Sequence, residues 1–91
     1  MNSPHEHTVE VRVVTTAGVF PHSGLEHEHA AQPVAVILEK AKRALHIIDT
    51  ANWIAVAGGH RIDPSLSYAA NHLGPRVEID WGPDHGAGGD A

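Results

Sequence analysis

Valines at positions 9, 11 and 13 alternate with Glu10 and Arg12 ahead of the run Val14-Thr15-Thr16. β-Branched residues at every second position predict a strand with one buried face, starting at Thr8. Two glycines and a proline within Ala17-Gly18-Val19-Phe20-Pro21-His22-Ser23-Gly24 predict a turn. Leu25-Glu26-His27-Glu28-His29-Ala30 alternates weakly, with Leu25 its one strongly apolar side chain, and reads as an edge-like strand paired to the first. The period then changes. Val34, Ile37, Leu38, Ala41, Leu45 and Ile48 recur at three- and four-residue spacing, which predicts an amphipathic helix over residues 33–48. Pro33 suits a first helical turn, where its missing N–H has no intrahelical partner. Glu39 precedes Arg43 by four residues, the favourable order for a helical ion pair.

Asp49-Thr50-Ala51-Asn52 breaks the helical period. Trp53-Ile54-Ala55-Val56-Ala57 follows as a short apolar strand, Gly58-Gly59 as a tight turn, and His60-Arg61-Ile62-Asp63 as a brief strand ended by Pro64. Residues 64–74 read as one or two helical turns stopped by Gly74 and Pro75. In the last strand, Arg76-Val77-Glu78-Ile79-Asp80-Trp81, the apolar Val77, Ile79 and Trp81 face one way and the three charged residues the other. Trp53 and Trp81 are assigned to the core. Residues 82–91 contain four glycines, one proline and two aspartates. Such a segment cannot offset the entropy of ordering and is expected to be a flexible tail. The polar residues 1–7 are expected to be disordered, which leaves a single domain over residues 8–81.

Composition narrows the chemistry. The absence of cysteine excludes disulfides, thiol catalysis and thiolate metal sites, and fits a reducing compartment. No apolar run of membrane-spanning length occurs, and residues 1–7 lack the form of a signal peptide, so a cytoplasmic location is expected. A formal charge of −5, with only six Lys plus Arg, argues against nucleic acid and anionic membranes as partners. There are nine histidines; His27 and His29 would share one strand face, and His5 and His7 repeat that spacing in a flexible segment. Pairs at that spacing can hold zinc. With no cysteine and no fixed third ligand they read as scattered surface histidines, and neither metal nor cofactor is assigned. Ser65, Ser67 and His72 lack a nucleophile-elbow setting, and Gly58-Gly59 lacks the spacing and lysine of a phosphate loop. No catalytic residue is assigned, and the chain is not expected to be an enzyme.

The order strand, strand, helix, strand, short strand, helical turn, strand resembles ubiquitin and the wider β-grasp family over roughly residues 9–89. The most specific part is Trp53-Ile54-Ala55-Val56-Ala57-Gly58-Gly59-His60-Arg61-Ile62-Asp63-Pro64-Ser65-Leu66: apolar strand, glycine turn, core aliphatic, acid, leucine. Leu73-Gly74, Val77-Glu78-Ile79 and Gly88-Gly89 follow at family-like spacing. The resemblance implies an α+β, β-grasp fold: a mixed sheet of four to five strands packed on one helix, with a flexible C-terminal tail. In ubiquitin-like modifiers the carboxylate of the second glycine is adenylated, passed on as a thioester and joined to an amine. By resemblance that role falls on Gly89, beside Gly88, after a protease removes Asp90 and Ala91. From Gly82 to Gly89 an extended chain would reach roughly 26 Å.

The implied partners are an activating enzyme of the E1 type, a conjugating enzyme of the E2 type, a processing protease of metallopeptidase type and a target protein. The chain is most similar to the modifiers of bacterial ubiquitin-like conjugation operons, several of which act against phage. It departs from ubiquitin in carrying Asp84 and His85, not arginines, ahead of its glycines, which implies dedicated enzymes. Ile54 occupies a plausible position on an interaction surface, which Asp80 interrupts. Lys40 and Lys42 are its only lysines, so single attachment is expected over polymeric chains. Two other readings remain open. One is a non-conjugated interaction or homo-oligomerising module using an exposed sheet face or edge. The other is a sulfur carrier, which would ordinarily end at the second glycine.

Overall fold

The computed structural model of the chain describes residues 8–84. The elements run β1 (Thr8–Thr15), β2 (Gly18–Phe20), β3 (Glu26–His29), α1 (Ala35–Ala44), β4 (Trp53–Ala57), β5 (His60–Ile62) and β6 (Arg76–Pro83). They build one mixed sheet in the order β2-β1-β6-β4-β5, with β3 also paired to β1. β6 lies parallel to β1 over Arg76 to Asp80 and antiparallel to β4 over Ile79 to Pro83. The first and last strands are therefore central neighbours, as a β-grasp domain requires.

Strand alternation decides which side faces the helix. Val9, Val11 and Val13 of β1, Ala55 and Ala57 of β4, and Val77, Ile79 and Trp81 of β6 point inward. They form one core with Val34, Ile37, Leu38 and Ala41 from the helical segment, together with Ile62 and Tyr68. Trp53 packs against this core and meets Trp81 edge-on, with ring centroids 5.0 Å apart and planes at 80°. Both indoles thus sit where the pattern assigned them.

Four features depart from the pattern. The stretch read as a turn contains β2, so the sheet has six strands, not four to five. Thr15 Oγ1 donates to the Gly18 carbonyl and accepts the Ala17 N–H, both at 2.9 Å, which closes the β1–β2 hairpin. Gly18, at φ +141°, leaves room for Leu45, whose Cδ2 would lie 3.1 Å from a Cβ there.

The helix is shorter than residues 33–48. Pro33 forms a bridge with Ser67, and the N–H groups of Val34 and Ala35 donate to Leu66 O and Pro64 O at 3.0 and 2.9 Å. The following segment, not a side chain, therefore caps the first turn. At the other end His46 turns left-handed, with φ +57°. His46 N donates to Arg43 O and Ile47 N to Lys42 O, the paired bonds of a Schellman motif. That reversal throws Ile48 out of the apolar stripe, and it is 89% exposed.

The third departure lies in β3. Its inward position is Glu28, 3% exposed, held by Lys40 Nζ at 2.7 Å and by a short hydrogen bond from Gln32 Nε2. The weak alternation was a correct sign of a strand, but its buried anchor is a carboxylate. Finally, β6 continues two residues beyond Trp81, pairing Gly82 with Ile54 and Pro83 with Trp53. Asp84 N then donates to Asn52 O at 2.8 Å. The folded body therefore passes the boundary drawn at residue 81.

Candidate functional site

The strand faces turned away from α1 form an outer surface that divides in two. At one end lies a ladder of charges. Arg76 Nε and Nη2 donate to Glu10 Oε1 at 3.1 and 3.0 Å, and His27 Nε2 lies 3.2 Å from Glu10 Oε2. Arg76 first and His27 second hold the Glu10 carboxyl below its ordinary value. Beside it, Arg12 pairs with Glu78 at 3.6 Å. The register brings these groups together, because β1 carries Glu10 and Arg12 opposite Arg76 and Glu78 of β6.

The other end is apolar. Val14 of β1 and Val56 of β4 are the cross-strand partners of Asp80 on either side, and Ile54 lies opposite Gly82. Val19, 39% exposed, extends the row from β2, where it partners Val14. Val14, Ile54, Val56, Asp80 and Gly82, with Thr15, Thr16, Trp81 and Pro83, line a groove of about 430 Å³. Ile54, singled out by the family resemblance, lies on this surface. Val14 and Val56, which the sequence reading did not single out, stand beside it. Their shared signal was parity: each is the outward residue of a strand whose alternate positions fill the core.

Gly88, Gly89, Asp90 and Ala91 lie outside the described residues. What the structure supplies is their starting point. Asp84 is fixed by Asn52 O and by Arg61, whose Nη1 lies 3.8 Å from its carboxylate. Counted from there, residues 85–89 extend to at most about 17 Å, shorter than the reach expected from Gly82.

Other sequence candidates are engaged locally. His29 Nδ1 accepts the Ala31 N–H at 3.1 Å, while His27 is held at Glu10, so the two imidazoles serve separate contacts. Ser65 Oγ donates to Asp63 Oδ1 at 2.7 Å and Ser67 Oγ accepts the Ala70 N–H at 3.0 Å. The Ser65 bonds hold the Asp63 carboxyl below its ordinary value. Lys40 Nζ reaches Glu28 at 2.7 Å and Glu26 at 3.5 Å, and Glu28 above all raises its pKa. No helix among the described residues is long and apolar enough to cross a membrane.

No protein-family model matches the sequence, and no curated protein matches it. Solved structures do resemble it. A protein designed de novo on the basis of ubiquitin superposes with a TM-score of 0.67 at 14% identity, over 87% of this chain and 92% of the design. A ubiquitin-like protein from Trypanosoma brucei superposes with a TM-score of 0.63 at 17% identity, over 86% of this chain and 96% of its own. At such identities the likeness defines the fold alone. The chain has a ubiquitin-like β-grasp fold.

Proposed function

We propose that the chain is the precursor of a ubiquitin-like protein modifier. In this reading a metallopeptidase-type protease hydrolyses the Gly89–Asp90 bond, releasing Asp90-Ala91 and leaving the Gly89 carboxylate. A dedicated activating enzyme adenylates that carboxylate with ATP, releasing pyrophosphate, and transfers the acyl group to a thiol with AMP as leaving group. A conjugating enzyme then delivers it to an amine of a target protein, with the thiol as leaving group. The setting is a bacterial conjugation operon, with defence against phage as its purpose, and the enzymes meet in the cytoplasm.

One observation carries the reading: a ubiquitin-like body whose central last strand ends at Pro83, followed within six residues by Gly88-Gly89. Two glycines without side chains fit a narrow enzyme channel. The body supplies recognition and the tail supplies the electrophile. Asp90-Ala91 beyond the glycines weighs against a sulfur carrier.

Intact mass of the protein from its native host tests this. Loss of Asp90-Ala91 alone, or an adduct through Gly89, is the expected result. A chain keeping both residues, with its processing genes expressed and no adduct found, would leave the second reading: a non-conjugated interaction module. In that second reading the apolar groove between β1 and β4 is the binding surface.

A further inference from the structure

We propose that the groove around Asp80 docks a protein segment presenting one arginine or lysine within an apolar surface. This goes beyond the conjugation reading and does not depend on it. The first observation is a contrast among carboxylates. On the outer face Glu10 is paired with Arg76 and His27, Glu78 with Arg12, and Asp84 with Arg61. On the helix side, Glu26 and Glu28 share Lys40, and Glu39 meets Arg43. Asp49 and Asp63 accept hydrogen bonds from their own turns. Among the described residues, Asp80 is the one carboxylate with neither a basic partner nor a hydrogen bond to its side chain.

The second observation is where it stands. Asp80 is exposed at the middle of the sheet, with Val14 and Val56 directly opposite it on the two neighbouring strands. Val19 and Ile54 flank those valines, so the charge sits inside the apolar part of the outer face. Arg61, the partner of Val56 on β5, is already committed to Asp84.

These two facts together choose the occupant. A purely apolar surface that covered Val14, Val56 and Ile54 would also strip water from Asp80 and leave a buried, unpaired charge, which is strongly unfavourable. A segment carrying a cation at that point gains a charge-assisted hydrogen bond and keeps the apolar contact. Asp80 therefore selects among partners, admitting those with the matching charge and rejecting uncharged ones. A second copy of this chain placed about a twofold axis through the patch would set Asp80 against Asp80, which disfavours self-association there.

The test is selection of random 16-residue peptides displayed on phage against the immobilised full chain, followed by titration of enriched synthetic peptides into ¹⁵N-labelled protein. Enriched peptides are expected to carry one Arg or Lys between apolar residues. They should shift the amides of Val14, Ile54, Val56 and Asp80, and bind more weakly as salt rises. Asp80→Asn should weaken them about tenfold without altering the melting temperature, and Asp80→Lys should redirect selection to peptides with Asp or Glu. Any of four results would overturn the proposal: no enriched peptide, enriched peptides without a cation, equal affinity for Asp80→Asn, or shifts away from the groove. Dimerisation of the free chain abolished by Ile54→Lys would overturn it too, by assigning the face to a second copy.

Discussion

Lys40 and Glu28 form the contact that ties β3 to the helix. The Glu28 side chain is 2% exposed and that of Lys40 42% exposed, so the pair spans the boundary between core and solvent. Removing the lysine would leave the buried carboxylate with Gln32 alone. Lys40→Met is expected to destabilise the fold by about 1–2 kcal/mol, reduced from the value of a wholly buried pair by the lysine's exposure. The double substitution Lys40→Met, Glu28→Leu should recover most of that loss, because no buried unpaired charge remains and Glu26 is partly solvated. Urea unfolding midpoints at pH 7 measure both. An unchanged midpoint for Lys40→Met alone would show that Glu28 needs no cation.

At the end of α1 and again at residue 72 the backbone reverses without glycine. His46 and His72 both adopt positive φ, at +57° and +61°. His72 N bonds Ala69 O and Leu73 N bonds Tyr68 O, repeating around residues 68–73 the paired bonds that end α1. A left-handed conformation costs a side-chain-bearing residue about 1–2 kcal/mol, part of which glycine gives back through its freer unfolded chain. His46→Gly is therefore expected to stabilise the protein by about 0.5 kcal/mol and raise its melting temperature by a few degrees. A lower melting temperature would show that the imidazole makes a contact worth more than the strain. The same histidines explain why the helix end was not legible: nothing in Leu45-His46-Ile47 signals a stop, and Ile48 continues the apolar period. β1 and β6, by contrast, were readable because period-two alternation in Val9–Val13 and Val77–Trp81 is imposed by burial itself, and β4 was readable as a short apolar run ended by Gly58-Gly59. Ile54 was singled out by the family resemblance, since the all-apolar run of β4 does not mark its outward face. The extent of β6 was not legible, since Gly82 and Pro83 are poor strand formers that pairing with β4 overrides. A chain ending at Asp84 is expected to keep the full-length melting temperature, whereas one ending at Trp81 should lose about 1–2 kcal/mol with the contacts of Gly82 and Pro83. Equal stability of the two would confine the folded body to residue 81.

Over the whole molecule, titration separates charge from stability. Glu10 and Asp63 have lowered pKa values, so what they contribute to stability is present above their unfolded values of 4.5 and 3.8 and is lost as pH falls through the folded ones. Lys40 and Tyr68 are shifted upward, Lys40 chiefly by Glu28, Tyr68 chiefly by its burial. Their contribution is complete below the unfolded values of 10.5 and 10.0 and is lost at more alkaline pH. Stability should therefore hold level between about pH 5 and pH 10 and fall on both sides. Within that plateau the net charge changes sign. It is −5 with neutral histidines, and nine protonated imidazoles bring it to +4; histidine side chains as a class change charge between pH 5 and 8. Electrophoretic mobility is thus expected to reverse between pH 8 and pH 5 while circular dichroism and the urea midpoint stay constant. An unfolding transition that tracks the mobility change would instead mean that at least one histidine is folded in a form that tolerates only the neutral ring. A constant fold through the reversal would leave the molecule with a net positive charge, so binding of a cationic segment at the groove should weaken from pH 8 to pH 5 with no loss of structure.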